Sequence, residues 1–103
     1  AQAAKNHSID MATNNYFSHT SLNGQKVKDR INAVKPMSET YIAENISAGR
    51  RSIFETHMGW IISDGHRNNL LNVNYTHIGY GTAYNSSSKY GMYSTTTFMK
   101  ANN

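Results

Sequence analysis

Four side chains in this 103-residue sequence have the types that carry chemistry: His19, Glu44, Ser63 and His66. Two imidazoles and a carboxylate suit a divalent ion such as zinc, because ring nitrogens and carboxylate oxygens are donors that such ions accept, with water completing the shell. His19, His66 and Glu44 are therefore the candidate metal ligands, and zinc or another divalent cation is the implied cofactor. The same residues contain a second chemistry. Ser63 precedes His66 by three positions, and with Glu44 to orient that ring they supply a hydroxyl nucleophile, a base and an acid. A hydrolase of peptide or cell-wall substrates would use Ser63, or a metal-bound water, with His66 as base. Neither reading has a short motif behind it, since HExxH and GxSxG are both missing. Ser63 also has a plainer use as the cap of a turn at Asp64 and Gly65. A third reading is a structural adhesion module in which the cluster only satisfies buried polar groups. His7, His57 and His77 are expected in surface or packing roles.

These residues need elements to hold them. Ser52 followed by Glu55 has the form of a capping box and predicts a helix start, while Phe54, Met58 and Ile61, flanked by Ile53 and Trp60, predict an apolar face pressed on a core. Gly65 is expected to end that helix, which would put His66 in a turn facing a cleft. Upstream, Ala1 to Asn14 is Ala-rich without Gly or Pro and should be helical. Asn14 and Asn15 favour leaving it, so His19 falls just past a helix end beside Tyr16 and Phe17. A second helix carries Val27, Ile31 and Val34, with Ser21 or Asn23 as its cap and Pro36 ending it at about Val34. Met37 to Thr40 reads as linker. Tyr41 to Ile46 alternates imperfectly, and the adjacent Glu44 and Asn45 are costly among apolar neighbours unless both are satisfied. After Asn72 the period falls to two. Ile78, Tyr80, Thr82 and Tyr84 share one strand face, and Gly79, Gly81 and Ala83 leave a small-residue face for something bulky. Asn85 to Lys89 is a turn, and Tyr90 to Met99 returns as a second antiparallel strand. Helices first and a hairpin last imply an α+β fold.

Composition bounds the rest. One domain spanning residues 1–103 is expected, with 38% hydrophobic and 16% charged residues, which suits an ordered chain rather than a disordered tail. No run of apolar residues is long enough to span a bilayer, and no charged-then-apolar leader is present. The first residue is not Met, which suggests processing. The absence of Cys excludes a disulfide framework and a thiolate metal site. A net charge of +4 is too scattered to favour nucleic acid but suits acidic polymers such as anionic cell-wall material. The basic run from Lys26 to Arg30 reads as a solvated helix face. A monomer is expected.

Read together, HSIDMA, YFSHTSLNG, DRI, IAENISAG and GWIISDGHRNNLLNVNYTHIGYGTA resemble the bacterial branch of the CAP superfamily, the cysteine-rich secretory protein, antigen 5 and pathogenesis-related 1 proteins. The resemblance covers nearly the whole chain and places its first residue inside the family's first conserved block. It implies a three-layer α-β-α sandwich around a small antiparallel sheet, with more strands than the hairpin alone. It also implies a cavity with two His and two acids, here His19, Glu44 and His66, with Ser63 standing where the second acid is expected. Glu55 and Asp64 are nearby acids outside the matching position. Zinc or another divalent ion at the His pair is implied for some family members, and so is a secreted or cell-surface location. Sterol binding does not carry over, because it is associated with a loop stabilised in Cys-containing relatives.

Overall fold

The computed structural model describes residues 2–34, 39–72, 75 and 77–101. The Ala-rich opening forms α1 (Gln2–Asn14). Asn15 then takes a left-handed φ of 54°, which Asn tolerates better than other side chains, and the Tyr16 amide reaches back to the Met11 carbonyl at 3.1 Å. Next comes α2 (Val27–Val34), as the Val27, Ile31, Val34 spacing predicts. Its N-terminus is satisfied differently from expectation. Neither Ser21 nor Asn23 caps it; the Asp29 carboxylate instead accepts from the Lys26 amide at 3.0 Å. Pro36 and the Met37 to Ser38 part of the expected linker lie outside the described residues.

The sheet has three strands, β1 (Glu39–Ala48), β2 (His77–Tyr84) and β3 (Met92–Ala101), in the order β1-β3-β2 with both pairings antiparallel. The hairpin of β2 and β3 matches its period-two pattern. The added strand is β1, which takes in Glu39 and Thr40 from the expected linker. Its alternation is imperfect because both of its faces are covered: Glu44 and the adjacent Asn45 are both buried.

Register sorts the two faces. Ile46, Thr95 and Gly81 align across the strands, as do Ala48, Tyr93 and Ala83. On this face α1 seats Met11 and Ala12 against Ile46, Ala83 and Tyr93 to form the apolar core. The small-residue face of β2 is what admits the helix. A Cβ on Gly81 would fall 2.3 Å from the Lys5 Cα, and Ser8 Oγ donates to the Gly81 carbonyl at 2.8 Å. The opposite face carries Asn45, Thr96 and Tyr80 in one row and Ser47, Ser94 and Thr82 in the next. Helices α3 (Ile53–Ile62) and α4 (Asp64–Leu71) lie on this side, completing the α-β-α sandwich.

Two expectations for this region are overturned. Ser52 does cap α3, accepting from the Glu55 amide at 3.1 Å, but the helix meets the sheet through His57, whose ring packs on Tyr80, and through Trp60, whose Nε1 donates to the Ile46 carbonyl at 3.1 Å. Phe54, Met58 and Ile61 are exposed, Phe54 by 67%, so the apolar face expected to press on the core is turned to solvent. Gly65 does not end the helix. The break comes at Ser63, in extended conformation, and Gly65 and His66 belong to the new helix α4.

These placements fix the outcome of two glycine substitutions. Gly81→Ala should lose about 2 kcal/mol in urea unfolding, because α1 backbone must shift. Gly65→Ala meets nothing within 4 Å and should gain about 0.5 kcal/mol as a helical position; a turn at Gly65 would give a loss instead.

Candidate functional site

The site starts from a carboxylate with nowhere to be solvated. The Glu44 side chain is 2% exposed on β1, and a bare buried carboxylate is costly. Both of its oxygens are held. Oε2 accepts from Arg30 Nη2 at 2.6 Å, and Oε1 lies 2.9 Å from Nδ1 of His19 in the loop after α1. Arg30 is itself buried, and its Nη1 donates at 3.0 Å to the His19 carbonyl, the Ser21 hydroxyl and the Gln25 carbonyl. One guanidinium therefore neutralises Glu44 and ties down the loop that carries His19. The His19 side chain remains 60% exposed, so a ring fixed on one edge is open on the other.

Arg30 is the functional residue that sequence reasoning missed. Lys26 to Arg30 was expected to be a solvated face, yet Arg30 sits beside Ile31 on the side of α2 that is buried. The signal was present in Ile31 itself, whose neighbour on a short helix next to a buried acid has a reason to point inward.

From the other layer, α4 brings His66. Its Nδ1 lies 2.9 Å from Ser63 Oγ, and Ser63, although the N-cap of α4, makes no side-chain cap. A cap contributes about 1 kcal/mol, and here the hydroxyl serves the ring instead. Asn45 anchors the segment by donating to the His66 carbonyl at 3.1 Å and accepting from Asn69 at 2.9 Å. Burial holds His66 below the ordinary histidine value, and the neighbouring His19 ring lowers it further. The two imidazoles thus come from opposite helical layers, near enough for the charge of one to act on the other. Nε2 of each ring has no hydrogen-bond partner among the described residues.

Glu44 does not orient His66, as the nucleophile reading expected; it holds His19. Among the described residues no three His, Asp or Glu side chains are gathered as a ready-made metal cage. Glu55 turns to Arg51 at 3.6 Å, and the Asp64 and His77 side chains lie outside the described residues. His57 packs its ring 5.1 Å from those of Trp60 and Tyr80, and His7 is buried with Nε2 donating to the Ser18 carbonyl at 2.9 Å. Both have the packing roles expected of them.

Beside His66 a cleft of about 440 Å³ runs along β1, walled by Phe17 on one side and by Thr56, Gly59 and Trp60 on the other. No helix among the described residues is long and apolar enough to cross a membrane.

Comparison with known proteins agrees with this fold. The model of the cysteine-rich secretory protein family (CAP) matches residues 1–99. Two Bacillus subtilis proteins are similar: the uncharacterized membrane protein YlbC, 40% identical over 84 residues, and the uncharacterized protein YkwD, 37% identical over 81. Each alignment covers 79% of this chain, which spans 23% of the first relative and 31% of the second. Among solved structures, an SCP-domain extracellular protein of Bacillus anthracis superposes with a TM-score of 0.81 at 36% identity, covering 97% of this chain and 31% of that one. An outer surface protein of Borrelia burgdorferi has the same fold, with a TM-score of 0.83 at 22% identity over 98% of this chain and 72% of its own.

Removing the charge that Arg30 faces tests the network. Glu44→Gln should destabilise the protein by about 3 kcal/mol in urea unfolding, as expected when one partner of a buried ion pair is lost. Acid should act through the other rings. Burial, and after it the Arg30 charge, lowers His7 below the ordinary value, and His66 is lowered as well. The unfolded chain therefore takes up these protons first, so their contribution is complete above about pH 6.5 and is lost as pH falls below it. The urea midpoint should drop from pH 7 to pH 5, and His7→Gln should flatten that slope.

Proposed function

The chain belongs to the cysteine-rich secretory protein (CAP) family, and from that membership we propose an extracellular binding domain whose cleft holds a divalent cation between His19 and His66. One observation carries this reading: each imidazole is tied at Nδ1, to Glu44 Oε1 and to Ser63 Oγ at 2.9 Å each, and leaves Nε2 unpartnered among the described residues. Metal-ligating histidines are held in this way, their other ring nitrogen donating to an oxygen that fixes tautomer and orientation. The donor set fits zinc or a similar ion, with His19 and His66 as ligands, Glu44 behind the first ring and Ser63 behind the second. Glu44 acts through His19, because both of its oxygens are already occupied. When bound, the ion supplies Lewis acidity to a ligand in the cleft. The family's extracellular members and the basic charge of the chain favour a secreted or surface location near acidic cell-wall polymer.

The hydrolase reading has its own support in the Ser63 to His66 contact, but it needs the opposite tautomer. A Ser63 hydroxyl activated by His66 would donate to Nδ1, placing the ring proton on Nε2, where a triad has its acid. No acceptor stands there among the described residues, whereas the metal reading uses that nitrogen bare.

Calorimetric zinc titration of the protein should give one ion per chain, with the heat lost in His19→Ala and in His66→Ala. Uptake should weaken below about pH 6.5, since imidazole binds metal only when neutral. No heat, or equal heat from the variants, removes the metal; peptide or cell-wall turnover lost in Ser63→Ala but resistant to chelation would put the hydrolase in its place.

A further inference from the structure

Ser63 and His66 line one part of the cleft, and the β1 segment from Ile46 to Gly49 lines another. The Gly49 amide donates to the Met92 carbonyl at 3.0 Å, on the β3 side of the strand, while the Ile46 carbonyl accepts from Trp60 on the opposite side. In an antiparallel ladder alternate residues turn both backbone groups toward the partner strand or both away from it. Asn45, Ser47 and Gly49 therefore face β3, and Ile46 and Ala48 face outward. Since β1 is an edge strand, the Ile46 N–H and both backbone groups of Ala48 have no partner among the described residues. Such an edge is a template for one more strand. Here it lies in a walled cleft with a volume in the range of ligand sites.

The far end of the cleft holds Arg50. A Cβ on Gly59 would come within 2.8 Å of its Nη2, so the guanidinium rests on bare helix backbone where α3 has no side chain. It makes no ion pair or hydrogen bond among the described residues. An unpaired planar fork of donors in a cleft is suited to a carboxylate.

We propose that this cleft binds an extended peptide as an added strand on β1, with a carboxylate of the peptide held by Arg50. The proposal rests on the cleft being a binding site, and it needs no ion. The net charge of +4 steers acidic segments toward it. The carboxylate comes from a chain terminus or from an acidic side chain, and the geometry at Arg50 serves both. Peptide side chains on one face would meet Phe17 and those on the other Gly59 and Trp60, with the chain continuing toward His66.

The test uses fluorescein-labelled hexapeptides of alternating Thr and Val, followed by anisotropy in excess chelator. One ends in a free carboxylate, one in an amide, one in an amide with Glu as its last residue, and one is the free acid N-methylated at alternate residues. Either carboxylate form should bind about tenfold more tightly than the neutral amide, and Arg50→Gln should erase that difference. The stronger of the two identifies the source of the carboxylate. N-methylation should weaken the free acid about tenfold or more. Amide exchange at Ile46 and Ala48, fast in the free protein, should slow on addition of peptide. No saturable binding up to about 1 mM, indifference to N-methylation, or equal binding by Arg50→Gln overturns the proposal. So does polyphosphate that displaces the peptide while binding without slowing those amides, which would make the cleft a polyanion site. Zinc titration is a separate readout: peptide binding without zinc uptake removes the metal alone, and zinc uptake without peptide binding removes the added strand alone.

Discussion

The buried Glu44 carboxylate is the constraint on which the rest of the site depends. Desolvating a carboxylate costs several kcal/mol, and Glu44 meets that cost only because Arg30 arrives from α2 at 2.6 Å and His19 from the loop at 2.9 Å. Satisfying one side chain therefore fixes the relation of three segments: β1, α2 and the loop between α1 and α2. His19 shows the effect most clearly. A ring with most of its surface in water has little packing to hold it, yet Glu44 on one nitrogen and Arg30 on its carbonyl restrain both its orientation and its backbone.

The second imidazole is handled by a different physics. Where a carboxylate pairs with His19, a neutral hydroxyl pairs with His66, and Ser63 is the residue standing where the family pattern expects an acid. An acid there would favour the imidazolium. With Ser63, nothing offsets burial, and the neighbouring His19 ring adds to it, so His66 is lowered.

Much of this was legible from residues alone, and the exceptions have a common cause. Elements whose pattern reflects one buried face were read correctly: α1 with Ala4, Ser8 and Met11 inward, α2 with Ile31, and the hairpin with its small-residue side under Lys5. Misreadings occurred where the pattern answers to two environments. Strand β1 is covered on both faces, so Glu44 and Asn45 break the alternation. Helix α3 carries an apolar stripe that the sheet does not receive, and Trp60 with His57 makes its anchor. Gly65 has the residue type of a helix stop, but the chain had already broken at Ser63, whose hydroxyl is drawn to His66 rather than to the helix end. The four site residues were singled out by type and then matched by resemblance, whereas their wiring, Glu44 to His19 and Ser63 to His66, is a tertiary fact that spacing does not encode.

The edge of β1 adds a last step. Exposed edges invite pairing between chains, and proteins blunt them with charge, bulges or covering elements. Here the covering is partial: Trp60 occupies the Ile46 carbonyl, and α4 closes on the strand near Asn45, but the groups of Ala48 remain open inside walls formed by Phe17 and Gly59. Those walls flank the strand yet leave its own hydrogen-bonding groups without partners among the described residues. A helix side chain at position 59 would block the cleft and displace Arg50, and Gly59 has none. The same absence that weakens α3 as a helix keeps a guanidinium and a strand edge facing one narrow space, which is the combination an extended acidic chain can satisfy all at once.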